Sequence, residues 1–189
     1  MRAFVILGLG FVLTSQLSAY EKPHWVHITK ASHNGSGCRL GSDVSVVEAS
    51  NPDRIHVDFK AFSVTTDDSV ERKNCSISLN VDHPGGWQYA VKRFDAWIMS
   101  KVNNGAEARV SSNVYHQGDS ANTTFTHRWH GWQDGHFDIH QAKQDHELIW
   151  SSCREKRSLN TNTSVLVKDA WATAKIKHKI YWGLVWRRC

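Results

Sequence analysis

Residues 72–89 constrain what this chain can fold into more than any other stretch. Cys75, Ile77, Leu79 and Val81 share one parity, while Ser76, Ser78, Asn80 and Asp82 share the other. A period of two places the first set on one face and the second on the opposite face, the signature of a half-buried strand. A turn at His83-Pro84-Gly85-Gly86 follows, and Trp87, Tyr89 and Val91 resume the apolar parity opposite Gln88 and Lys92. The stretch reads as a β-hairpin, stapled to the rest of the fold through Cys75.

The same alternation recurs along the chain. Ile55, Val57 and Phe59 lie between Arg54, His56, Asp58 and Lys60, and Phe125, His127 and Trp129 alternate with Thr124, Thr126 and Arg128. Further strands are expected around 44–48, 96–102, 107–115, 134–140, 165–168 and 173–182. In the last of these, Ala174, Ile176, His178 and Ile180 oppose a stripe of Lys175, Lys177 and Lys179. Asn103-Asn104-Gly105 carries the residues of a type I′ hairpin turn. No stretch longer than about ten residues has helical spacing. Many short strands broken by frequent turn signals predict an all-β, single-domain antiparallel β-sandwich, jelly-roll-like in architecture.

Arg2 followed by an apolar run over 3–13 and by Ser18-Ala19 predicts a secretory signal peptide over 1–19. That run falls short of the roughly 20 apolar residues that span a bilayer, so no transmembrane segment is expected. Residues 20–36 read as an irregular N-terminal arm and 37–189 as the β-sandwich domain. The formal charge of +5 becomes +4 once the leader, with Arg2, is removed. That charge is not clustered, which argues against a nucleic-acid partner.

Four cysteines behind a leader predict two disulfides formed in an oxidising compartment. Three pairings are possible, and the pairing within each half of the chain, Cys38–Cys75 and Cys153–Cys189, is the expected one. Asn34, Asn122 and Asn162 head Asn-x-Ser/Thr triplets and are candidate glycan acceptors. Asn74 heads a fourth triplet, but its middle residue is Cys75.

Six motifs in order resemble a known family. They are Gly37-Cys38-x-x-Gly41-Ser42-Asp43-Val44, Arg72-Lys73-Asn74-Cys75, Pro84-Gly85-Gly86-Trp87-Gln88-Tyr89, Trp150-Ser151-Ser152-Cys153, Leu159-Asn160-Thr161-Asn162-Thr163 and Trp186-Arg187-Arg188-Cys189. Together, over 37–189, the chain resembles the secreted "domain of unknown function 4360" family, found mostly in fungi and also in bacteria. The resemblance implies a small secreted β-rich protein with two disulfides and brings no established activity. Arg39 departs from the pattern, in which proline commonly follows the cysteine. The segment 113–149 is unusually rich in His and Trp.

Candidate chemistry is concentrated in that segment, as the alternative to a non-catalytic binding role. On a strand, Asp134, His136, Asp138 and His140 project from one face. Mixed imidazole and carboxylate ligands suit zinc or copper, so His136, Asp138 and His140 are candidate metal ligands. A metal-dependent protein or hydrolase built on 127–146 is therefore one functional expectation, although no hydrolase signature such as Gly-x-Ser-x-Gly or His-Glu-x-x-His is present. The other expectation is a non-catalytic extracellular protein, effector-like or surface-associated, needing no cofactor. It would bind a wall glycan, a membrane or a partner protein, and Trp129, Trp132, His127 and His130 would form its working surface.

Overall fold

The computed structural model describes residues 21–39, 44–47, 52–67 and 69–189. The leader expected over 1–19 and the Gly41-Ser42-Asp43 part of the first motif lie outside the described residues. Among the described residues, ten strands form two five-stranded sheets. The first sheet has the order β1 (His27–Asn34), β4 (Glu71–Asp82), β9 (Leu159–Lys168), β6 (Glu107–His116), β7 (Thr123–His130). The second has the order β2 (Val44–Val47), β3 (Arg54–Thr66), β10 (Ala172–Arg188), β5 (Trp87–Val102), β8 (Gln133–Ala142). Neighbouring strands are antiparallel. Among the described residues the only helical turn is the short one at Asp145–Glu147, and no helix is long and apolar enough to cross a membrane.

The apolar parity of each strand meets its counterpart between the sheets. Cys75, Ile77, Leu79 and Val81 are buried, as the alternation predicts. Val165 and Val167 of β9, Phe94, Ala96 and Ile98 of β5, and Ile176, Ile180, Trp182 and Trp186 of β10 join them in one core. Burying side chains of this size stabilises the fold by roughly 1.5–3 kcal/mol each before chain entropy is counted. Two buried polar groups inside the sandwich are paired: the Trp182 indole and the Thr163 hydroxyl both donate to Ser112 Oγ, at 3.1 and 3.2 Å.

The disulfides are Cys38–Cys75 and Cys153–Cys189, the expected pairing. They close loops of similar length, with sequence separations of 37 and 36, each worth about 4 kcal/mol in loop-closure entropy. The shared motifs cluster around them as scaffold. Gly37 N–H donates to Asn74 O at 2.8 Å beside the first disulfide. Near the second, Ser151 N–H donates to Tyr89 O, and Ser151 Oγ accepts from Tyr89 N–H. The guanidinium groups of Arg187 and Arg188 lie 4.0 and 3.9 Å from the ring centroids of Trp150 and Trp87.

Three local expectations are corrected. The stretch 72–89 is not a hairpin, because β4 belongs to the first sheet and β5 to the second. The turn at His83-Pro84-Gly85-Gly86 carries the chain across the sandwich. Asn103-Asn104-Gly105 likewise links β5 to β6 in the opposite sheet. There Gly105 has φ +84° and Asn104 does not have positive φ, while Ala106 N–H donates to Asn103 O. This is type II geometry rather than type I′, which requires two positive φ values. Turn residues encode a reversal, and either sheet can receive the returning strand. Finally, the arm over 20–36 is not irregular throughout: His27–Asn34 forms edge strand β1 on β4. Its polar residues hide the pattern because an edge strand buries little.

Candidate functional site

A break in the alternation of β10 creates the candidate site. In β10, Ile176 pairs with Ile98 of β5 and Ile180 pairs with Ala96. Three residues, Lys177, His178 and Lys179, therefore stand opposite the single residue Trp97. His178 adopts φ +69°, one of two positive-φ non-glycine residues among those described. Bulges of this kind re-aim side chains, and they gather beside functional sites. The expected lysine stripe is broken here: Lys177 and His178 are exposed at the bulge.

Trp97 lies on the outer face of the second sheet because Ala96 and Ile98 take the inner one. It is 37 % exposed. Its ring meets Tyr181 of β10 edge-to-face, with centroids 5.1 Å apart at 72°. His56 of β3 extends the row, 5.4 Å from Tyr181, and the Arg54 guanidinium sits 5.5 Å from the same ring. Burial holds the His56 imidazole below its ordinary pKa, partly opposed by the Asp58 carboxylate. The ring is neutral at neutral pH and acts as a flat polar plate. A cleft of about 440 Å³ opens over Trp97 and Tyr181. Its sides are His136 and Asp138 from β8 and Lys177, His178 and Lys179 from the bulge.

The predicted metal set is divided by this geometry. His136, Asp138 and His140 do share one exposed face of β8. Alternate residues of a strand stand roughly 7 Å apart, too far for three side chains in a row to close on one ion. Among the described residues no group of three or more His, Cys, Asp or Glu side chains is placed to hold a metal. His140 Nδ1 instead lies 2.9 Å from Asp95 Oδ1, and Arg93 Nε donates to Asp95 Oδ2 at 2.9 Å. His136 and Asp138 turn to the aromatic cleft.

The predicted tryptophan surface is also divided. Trp129 is 7 % exposed, packed edge-on against Phe137 at 4.9 Å and beside His127 at 5.8 Å. It belongs to the core, so it cannot offer a face to a ligand. Trp132 is 67 % exposed at the turn between β7 and β8. His130 is exposed, with Nδ1 3.8 Å from Glu107 Oε2. Of the triplet asparagines, Asn34 and Asn122 are exposed and Asn162 is half-buried.

The shelf itself was not anticipated, yet its signal is present. Trp97 alternates in phase with Asp95 and Lys101, so its parity points outward. The bulge carries no such signal, since Lys177-His178-Lys179 fits an unbroken alternation.

Comparison with known proteins agrees with the motifs. The family model described as Domain of unknown function (DUF4360) matches residues 24–189. An "Uncharacterized secreted protein" of Arthroderma benhamiae is 27 % identical over 147 residues, which cover 76 % of this chain and 60 % of that protein. The chain thus spans well under two thirds of that relative's length. The protein is secreted and extracellular, consistent with that relative and with two disulfides. Among solved structures, TmCBM61 in complex with β-1,4-galactotriose aligns with TM-score 0.33 and 15 % identity, covering 86 % of this chain and 90 % of that one. The Family 16 Carbohydrate Binding Module-2 aligns with TM-score 0.25 and 15 % identity, covering 77 % and 87 %. Similarity at that level speaks to neither ligand nor site.

Proposed function

The chain belongs to the Domain of unknown function (DUF4360) family, and for this member we propose an extracellular carbohydrate-binding protein whose ligand lies on the Trp97–Tyr181 shelf. One observation carries the reading: a solvent-facing indole and phenol meet on the floor of a cleft flanked by imidazole, carboxylate and ammonium groups. Ligand sites of this build pair apolar ring area with a few polar groups that fix orientation. A sugar ring offers the matching surfaces, with C–H groups for the indole face and hydroxyls for Asp138, His136 and the bulge lysines. Asp138 is the one carboxylate lining the cleft among the described residues, whereas glycoside hydrolysis ordinarily uses a pair. That favours retention of the sugar over its cleavage.

The test is affinity electrophoresis and calorimetry of the secreted protein against a panel of soluble wall polysaccharides. Trp97→Ala is expected to weaken binding about thirtyfold, the effect of a hot-spot loss of about 2 kcal/mol. Binding that is unchanged in Trp97→Ala, or absent across the whole panel, contradicts the reading.

A further inference from the structure

The two outer faces of the sandwich differ in composition. No strand of the second sheet contains an asparagine, whereas β1, β4, β6 and β9 of the first sheet together contain six. Every Asn-x-Ser/Thr triplet of the chain also maps to the first sheet. Asn34 ends β1, Asn74 lies in β4, Asn162 lies in β9, and Asn122 immediately precedes β7.

The triplets are tied together by register. Asn34 pairs with Ser76, Ser76 with Asn162, Asn162 with Asn113 and Asn113 with Thr124. One rung thus crosses all five strands through amides and hydroxyls alone. The rung on one side runs Ser32, Ser78, Asn160, Tyr115. On the other side it runs Asn74, Ser164, Ser111, Thr126. None of these three rungs holds a charged residue, although the chain is 22 % charged. A cleft of about 280 Å³ on this face runs from Asn34 to Tyr115, which is 38 % exposed. Asn162 turns its Oδ1 into the sheet, shielded from solvent. Its amide nitrogen, the atom that bears an N-linked sugar, is then the outward end.

We propose that the outer face of the first sheet is an N-glycosylated face, carrying N-linked oligosaccharides on Asn34, Asn122 and Asn162. In each transfer the amide nitrogen forms a bond to the sugar C1 of a lipid-pyrophosphate-linked oligosaccharide. The amide gives up one proton and the lipid pyrophosphate departs. Because Asn162 sits mid-sheet, its transfer precedes folding. The neutral amide and hydroxyl ladder then offers hydrogen bonds to the first sugars, and Tyr115 offers them a ring. Asn74 stays bare, since its triplet includes Cys75 of the first disulfide and its Oδ1 accepts from Ser36 Oγ. The sugars leave the Trp97 shelf uncovered on the opposite face.

The test secretes the full chain from a yeast host and releases N-glycans enzymatically in heavy-oxygen water, which marks each former acceptor as labelled aspartate. Label at Asn34, Asn122 and Asn162 and none at Asn74 is the expected map. Label missing from any of those three, or present at Asn74, overturns the proposal. A second arm measures polysaccharide affinity before and after sugar release. A change within twofold fits sugars on the far face, and a change above fivefold contradicts it. The map does not depend on ligand binding, so failure of the carbohydrate-binding reading leaves it intact and separately readable.

Discussion

Trp97 and Tyr181 meet edge-to-face with their ring centroids 5.1 Å apart, on adjacent strands of one sheet, and a three-residue bulge in the strand of Tyr181 stands opposite Trp97. The bulge puts three residues, Lys177, His178 and Lys179, where a regular strand puts one, and they form one side of the cleft. A regular β10 would place one residue there instead of three, and the cleft would lose that side. Deleting two of the bulge residues is therefore expected to abolish polysaccharide binding, read by affinity electrophoresis, while the remaining β10 pairing holds the fold.

Trp129 and Trp132 are separated by two residues and are expected to behave differently. Trp129→Ala removes a buried ring packed on Phe137, and a loss of about 3–5 kcal/mol is expected. Trp132→Ala, at 67 % exposure, is expected to change stability by no more than about 0.5 kcal/mol. Chemical denaturation midpoints at constant slope distinguish the two.

Stability is expected to depend on two internal histidines. His83 is buried against Tyr89 and Trp186, and His116 against Tyr89 of the same cluster. Burial pushes both imidazoles below the usual value of 6.5. The unfolded chain therefore takes up protons at a higher pH than the folded one does. The stability these groups lend is fully present above about pH 6.5 and is lost as pH falls from there through the folded values. Melting temperature is expected to drop between pH 7.5 and 4.5. A His83→Gln, His116→Gln variant is expected to show a shallower drop, and an equal drop contradicts this origin.

Gly37 is expected to tolerate no side chain. A Cβ at this position would run into the Phe62 ring, itself fully buried. Gly37→Ala is expected to cost about 1–3 kcal/mol through overpacking. Thermal unfolding of the oxidised protein reads this directly, because the neighbouring Cys38–Cys75 bond is unaffected.

Much of the fold was legible in residue parity. Cys75, Ile77, Leu79 and Val81 needed only a period of two to be placed in a core, and the disulfides followed the division of the chain into halves. Sheet membership was not legible at His83-Pro84-Gly85-Gly86 or at Asn103-Asn104-Gly105, because turn chemistry determines that the chain reverses and not which sheet it rejoins. The site was half legible. His136 and Asp138 were recognised as an exposed pair, but their companions on β5 and β10 are distant in sequence. Trp129 was misplaced outward because tryptophan beside His130 and Gly131 resembles an exposed turn, whereas its parity with Phe125 points inward.

The Trp97–Tyr181 shelf is proposed to hold a carbohydrate chain. The most direct measurement of this is a binding isotherm of the secreted protein for the tightest polysaccharide of the panel, taken in parallel with Trp97→Ala of unchanged melting temperature. A saturable isotherm is expected for the native protein, with an affinity about thirtyfold weaker for the variant. Equal affinities in the two proteins would contradict it.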